Sequence, residues 1–334
     1  MKRCIFLFIG ICLFSAVIQA QTIEELVPED AGILKDLIGS SQDTIFKLAP
    51  GVYDMGVQLR FNANTNLIIE GSGSGMGADA TVLDFMTYSN DPAGDGRALS
   101  IRGGVVFRNL TIINVIDRAT DLRTGDVSSP SNQEVIFENV WFINCSTALK
   151  STGGRTVGSA ETPMQIKHCV FALTADYPFV SSNDAVDVRD TTYIELDHCD
   201  FFSHPNLVQI QVDDPDAAPN IGPQISITNS IFLATDGEEN NDFDIVAGNL
   251  TIRNSVLWDA GSNGEVQIAE GGVVDIQASI NADPIFVNAT IETLAVDLDF
   301  NLQPNSPAMG LGADGLNAGS VASEPVAVED WELN

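Results

Sequence analysis

Met164-Gln-Ile-Lys-His168-Cys-Val-Phe171 returns thirty residues later as Ile194-Glu-Leu-Asp-His198-Cys-Asp-Phe201. Four more segments carry the same pattern: Val105-Val-Phe-Arg-Asn109-Leu-Thr-Ile112, Val135-Ile-Phe-Glu-Asn139-Val-Trp-Phe142, Ile225-Ser-Ile-Thr-Asn229-Ser-Ile-Phe232 and Leu250-Thr-Ile-Arg-Asn254-Ser-Val-Leu257. The shared template is apolar, any, apolar, any, Asn or His, two more residues, apolar. The Asn or His recurs every 25 to 31 residues. A fixed period of that size signals a solenoid, in which each repeat buries its apolar face on its neighbours.

Before the Asn or His, apolar residues alternate as in a strand. After it the apolar phase shifts, so the chain bends there. Asn, and to a lesser degree His, tolerates positive φ, which makes each of these positions a corner between two short strands. If every coil places its corner at one height, the Asn and His side chains stack at the interstrand spacing of about 4.8 Å. The expected fold is therefore all-β, a right-handed single-stranded parallel β-helix. Helical repeats would need apolar residues at i, i+3 and i+4, which these segments lack.

Between the template segments lie second strands that also alternate: 98–102, 148–150, 185–189, 207–213, 243–246 and 265–269. Val186 and Val188 take the inward phase, and Asp187 and Arg189 the outward one. Stretches 116–133, 151–163, 174–183 and 214–223 read as loops of varying length. In a solenoid, insertions gathered on one side build the binding face.

The remaining chain frames this coil. Residues 1–20 read as a secretory signal peptide: Lys2 and Arg3, an apolar run from Ile5 to Ile18, and Ala20 before the expected cleavage point. Residues 21–42 read as a capping segment, with helical spacing from Glu24 to Ile38 suited to covering the open end of a β-helix. The β-helix domain is expected over 43–315. Asp283-Pro-Ile-Phe and the run from Asp299 are expected to close its far end, and 316–334 to form a flexible acidic tail. The Gly71–Gly77 glycine run lacks the Lys-Ser/Thr of a phosphate loop and reads as a tight corner. Cys145, Cys169 and Cys199 read as free buried thiols, because stacked positions aim their Cβ atoms poorly for a disulfide.

A formal net charge of −31 over 334 residues argues against nucleic acid and anionic membrane surfaces as partners. It suits a soluble protein; with the signal peptide, the expectation is a secreted, periplasmic or cell-surface monomer with no membrane insertion once the signal is removed. An anionic ligand would need a local cation to overcome the average field.

The segment Asn183-Asp-Ala-Val-Asp-Val-Arg-Asp-Thr-Thr-Tyr-Ile-Glu-Leu-Asp-His-Cys-Asp-Phe201 resembles the pectate lyase stretch that runs D-A-I-x-V … N-V-W-I-D-H-C-x-F. Gly104-Val-Val-Phe-Arg-Asn-Leu-Thr-Ile112 is similar to its N-V-I-I-R-N-L-x-I. The resemblance covers roughly Asp43 to Gly315. It implies a secreted, pectate lyase-like β-helix acting on an acidic polysaccharide, with Ca²⁺ as cofactor and an Arg base. The Arg-x-Pro-x-x-Arg motif of pectate lyases is absent, and His204-Pro-Asn206 offers Asn where their His-x-Lys has Lys. These departures count against pectin cleavage itself and leave the expected substrate as a uronate-containing glycan.

A lyase on a uronate glycan must neutralise a carboxylate, abstract the C5 proton and expel the leaving oxygen. The outward column of second strands supplies candidates. Arg189 and Lys150 are the expected catalytic residues, one as base and the other as carboxylate clamp. Gln209, Gln211 and Tyr177 are expected to touch substrate. Asp184, Asp187, Asp213 and Asp214 offer the oxygen ligands that Ca²⁺ prefers. His168 and His198 are expected to be corner residues rather than bases. A non-catalytic glycan-binding or adhesion solenoid, and a C5-epimerase on the same fold, remain open at this level.

Overall fold

The structure, a computed structural model, describes residues 22–63, 66–91, 96–126, 133–151, 155–175, 184–204, 206–211, 222–233, 243–258, 266–268, 272–290 and 292–321. Twenty-two strands form one continuous sheet whose pairings are all parallel, coiled as a right-handed parallel β-helix. Each coil contributes to three walls, taken in chain order.

The first wall holds the strands that run into the template corner. It contains Thr22–Leu26, Thr44–Leu48, Asn66–Glu70, residues 104–108 and 135–138, Met164–Lys167, Tyr193–Asp197, Gln224–Thr228, Gly248–Arg253 and Gly272–Gln277. The register matches the repeat: Arg108, Glu138, Lys167 and Asp197 are successive partners. The next residue in every coil is the corner. Asn109, Asn139, His168, His198, Asn229 and Asn254 all have φ between 51° and 55°. Asn139 Nδ2 donates to Asn109 Oδ1 at 2.9 Å, and the His168 and His198 rings stack at 5.1 Å. The expected column of corner residues is therefore present.

The second wall follows the corner and includes Val170–Ala172, Asp200–Phe202, Ile231–Leu233 and Val256–Trp258. Its inward side chains build a column of Phe142, Phe171, Phe201 and Phe232, with centroid spacings of 5.3, 4.9 and 4.5 Å. Stacking at the strand spacing is forced by the register and adds to the burial of each ring. Cys145, Cys169 and Cys199 are buried and free, as expected. Cys199 continues into a column of serines, with its N–H donating to Ser230 Oγ at 3.0 Å and Ser230 N–H to Ser255 Oγ at 3.1 Å.

The outward side of the second wall is apolar too. Ile113, Ile143, Val170, Phe202, Ile231 and Val256 pack against Phe286, Phe300, Ala308 and Ala318. The segment 283–321 is thus a strap laid along this wall. It starts as a short antiparallel pair, Phe286–Asn288 with Asp299–Leu302. This corrects the expectation that it closes the far end: an apolar outer face costs more to leave wet than an edge does, and the strap covers it. The strap also runs further than expected, since Ala318 and Ser320, assigned above to the tail, are buried in it.

At the other end, Thr22–Leu26 is a strand paired with Thr44–Leu48, where the sequence suggested helix. Pro28 stops that strand, and the helix Ala31–Ser40 buries Ala31, Leu34 and Ile38 over the first coils. Gly71 takes the corner position in the coil before Asn109, where a Cβ would come within 2.2 Å of the Asn109 carbonyl oxygen.

Candidate functional site

The third wall holds the second strands: Leu59–Phe61, Arg97–Ile101, residues 118–122 and 147–151, Asp184–Arg189, Asn206–Gln211, Phe243–Ile245 and Val266–Ile268. Val186, Val188, Val208 and Ile210 are buried in the core, as their phase requires. The outward positions stack into one column through successive pairings, Arg60–Ser100–Asp121–Lys150–Asp187–Gln209–Asp244–Gln267. Neighbours in that column stand about 4.8 Å apart.

Lys150 and Arg189, the two expected catalytic residues, come together on Asp187. Lys150 Nζ lies 2.5 Å from Asp187 Oδ2, and Arg189 Nε lies 3.4 Å from Oδ1. Asp187 is only 1 % exposed, whereas Lys150 and Arg189 are 20 % and 27 % exposed. The carboxylate is therefore a buried anchor that holds two cations at the surface. Arg189 is further fixed through its backbone, its N–H donating to Ser151 Oγ at 2.6 Å and its carbonyl accepting from the same hydroxyl at 3.2 Å. Gln209 stands next in the column and donates to Asp244 Oδ2 at 3.2 Å. Gln211 is the register partner of Arg189.

A second group, one coil from Lys150 and two from Asp187, was not expected from the sequence. Asp121, also nearly inaccessible, is ringed by three guanidinium groups. Arg123 grips it with Nη2 at 2.9 Å and Nε at 3.1 Å, Arg97 Nη1 lies at 3.4 Å and Arg118 Nη1 at 3.7 Å. Asp117 braces Arg118 Nε at 3.0 Å and Arg97 Nε at 3.7 Å. Paired, two-pronged contacts of this kind hold the guanidinium planes in fixed orientations. Residues 116–122 had read as loop; they complete a strand running from Gly104 to Leu122. The one signal in the sequence was Ala119, at the position of Ala148 in the next coil.

Of the four carboxylates expected to hold Ca²⁺, Asp213 and Asp214 lie outside the described residues, as does Tyr177. Asp184 is buried at the start of its strand, in register with Thr147 and Asn206. Asp187 has both oxygens engaged by cations, so it does not fit a calcium ligand as it stands. Among the described residues no group of three His, Cys, Asp or Glu side chains is placed to hold a metal.

The histidines lie off this wall or are inert within it. His168 and His198 sit in the corner column. His204 is fully buried, neither ring nitrogen has a hydrogen-bond partner among the described residues, and burial pushes its pKa down to about 3. It is a neutral imidazole at ordinary pH.

No family model matches the chain, and no curated protein matches it. Among solved structures it is similar to the crystal structure of pectate lyase Pel9A, at 12 % sequence identity and a TM-score of 0.44, over 91 % of this chain and 97 % of that one.

Proposed function

We propose that the third wall binds an acidic polysaccharide and that the protein is a lyase cleaving a uronate-containing glycan by β-elimination. The observation that carries this reading is the gathering of Arg97, Arg118, Arg123, Lys150 and Arg189 on one face of a chain whose net charge is −31. Arg60, in the same column, extends the stripe by one position. Cations fixed by buried carboxylates are pre-organised, so binding an anion costs little side-chain ordering. A local positive stripe also answers the repulsion that the whole-molecule field exerts on an anionic chain.

In this reading Lys150, tightly held by Asp187, clamps the substrate carboxylate. Arg189, held more loosely at 3.4 Å, takes the C5 proton after giving up one of its own to solvent, and the departing oxygen takes a proton from solvent. The guanidinium cluster around Asp121 engages a second anionic group along the polymer. The charge neutralisation that the pectate lyase resemblance gives to Ca²⁺ falls here to Arg and Lys. Residues 1–20 serve as the secretory leader, which N-terminal sequencing of exported protein tests.

The experiment is incubation with pectate, alginate and glycosaminoglycans, each with Ca²⁺ and with a chelator, reading the ultraviolet absorbance of the unsaturated product. Product from any of them that is lost in Arg189→Ala supports the lyase. No product from any substrate in either buffer removes it.

A second reading rests on one specific observation: both Lys150 and Arg189 are engaged with the same carboxylate, which favours charge recognition over proton abstraction. It makes the protein a non-catalytic glycan-binding solenoid. Saturable binding without product, lost in the Lys150→Ala/Arg189→Ala double variant, selects this reading.

A further inference from the structure

The strap ends over the corner column, at a cluster of ionisable groups that the third wall does not use. His198 lies between two carboxylates, with Nδ1 3.2 Å from Asp197 Oδ2 and Nε2 3.4 Å from Asp314 Oδ2. Neither contact has hydrogen-bond alignment, so the attraction is one of charge. Asp314 belongs to the strap and Asp197 to the coil beneath. Three coil-borne anchors complete the closure. Asp200 Oδ2 accepts from the Ser320 N–H at 3.0 Å and contacts the Ser320 hydroxyl. Asn229 Oδ1 accepts from the Ala313 N–H at 2.8 Å, and the Asn229 carbonyl from the Gly319 N–H at 2.8 Å.

We propose that residues 308–321 form a pH-sensitive latch on the second wall, closed in mildly acidic solution and released as the pH rises. Two groups act in the same direction. His198 is partly buried, which works against its charge, but Asp197, Asp314 and Asp200 together raise its pKa above the ordinary value. Asp200 is fully buried, which pushes its carboxyl up to about 7 despite its bonds from Ser320. Its other oxygen, Oδ1, is buried and has no hydrogen-bond partner among the described residues.

Both groups have folded-state pKa values above their unfolded ones. Their contributions are therefore full in acid and are lost as the pH climbs through those values. Asp200 ionises as the pH passes about 7, and once the imidazole has also lost its charge Asp197, Asp200 and Asp314 are three anions about a neutral ring.

The other groups facing the cluster set its acid limit. His168 stacks on His198 and faces Glu138; burial and the His198 charge lower its pKa. Burial works against the Asp197 charge, but His198, and hydrogen bonds accepted from Thr228 and Asn229, hold its carboxyl near 2. Lys167 is its register partner on the coil before. Cys199 is a buried thiol next to Asp200 and keeps its proton. Protonation of His168 places two imidazolium rings face to face, so the latch weakens again in stronger acid.

The test is amide hydrogen exchange on the full chain, read by mass spectrometry at about pH 6 and about pH 8.5 and corrected for intrinsic rates. Peptides covering 308–321 should lose at least tenfold in protection at the higher pH, while those covering the Phe142–Phe232 column stay unchanged. Asp200→Asn, which cannot ionise, should retain protection to higher pH, and Asp314→Asn should lower it at about pH 6. Gly319→Ala supplies the open reference, because its Cβ would meet Asp200 Oδ1 at 2.6 Å and Ile231 at 2.8 Å. Equal protection of the wild-type strap at both pH values overturns the latch. So do Asp200→Asn and Asp314→Asn profiles that coincide with wild type.

Discussion

Removing the Lys150 ammonium while keeping its stem, as Lys150→Met, separates what the third wall does for stability from what it does for binding. Among the described residues, the substitution leaves buried Asp187 with Arg189, at 3.4 Å, to balance it. Breaking a fully buried pair costs about 3–5 kcal/mol. Lys150 is itself 20 % exposed and Arg189 stays in place, so the expected loss is nearer 1–3 kcal/mol. Asp187→Asn added to Lys150→Met removes the stranded charge and keeps the side-chain shape. The double variant should recover more than half of the lost stability.

Binding should behave differently. Both variants lack one cation of the proposed groove. Each should bind an acidic polysaccharide more weakly than wild type, with a shallower dependence on salt. Urea unfolding gives the first quantity, and affinity electrophoresis or calorimetry across a salt series gives the second. If the double variant binds as tightly as wild type, Lys150 is only the partner of Asp187 and the proposed groove is wrong at its centre.

Three further outcomes follow from the coil itself. Phe171→Ala, between rings at 5.3 and 4.9 Å, should cost about 3–5 kcal/mol in urea unfolding, because the register prevents the column from collapsing into the gap. Asn139→Ala should cost about 1–3 kcal/mol and Asn139→Gly less, since both lose the bond to Asn109 but only alanine strains at φ 52°. Cys145, Cys169 and Cys199 should resist a thiol reagent in native buffer and react on denaturation. Burial raises the thiol pKa of Cys145 and of Cys199, and all three are inaccessible.

The corner column was legible because one backbone requirement, positive φ, admits few residue types, and the sequence repeats them at a steady period. Asn and His declared the bend, and alternation on either side declared the strands. The covered second wall was written just as openly but went unread. Phe142-Ile143, Phe171-Ala172, Phe201-Phe202 and Phe232-Leu233 each place two apolar residues in succession, the mark of a strand buried on both faces. The helix expected from Glu24 failed where helical and strand spacings overlap: Ile23 and Leu26 suit either, and pairing with Thr44–Leu48 decided for strand.

The proposed site was half legible. Lys150, Asp187, Arg189 and Gln209 do share a face, because alternation fixes which way a strand residue points. What alternation does not reveal is which partner a side chain finds across coils. Asp187 looked like a free ligand and is instead an anchor. The Arg97, Arg118 and Arg123 cluster is hidden in the sequence because its second strand carries Thr120 where the repeat has a larger apolar residue, so the run reads as a loop.

The strap ties the size of the molecule to the length of its own ending. It packs with the second wall's outer face in one apolar cluster, with Phe300 against Trp141 and Phe202. A solenoid open on every side can gain or lose a repeat by duplicating a stretch of gene. Here an added repeat would bare an unshielded patch of hydrocarbon unless the terminal segment grew by a matching amount. Variation among descendants of this chain should therefore fall in the turns and spare the number of coils.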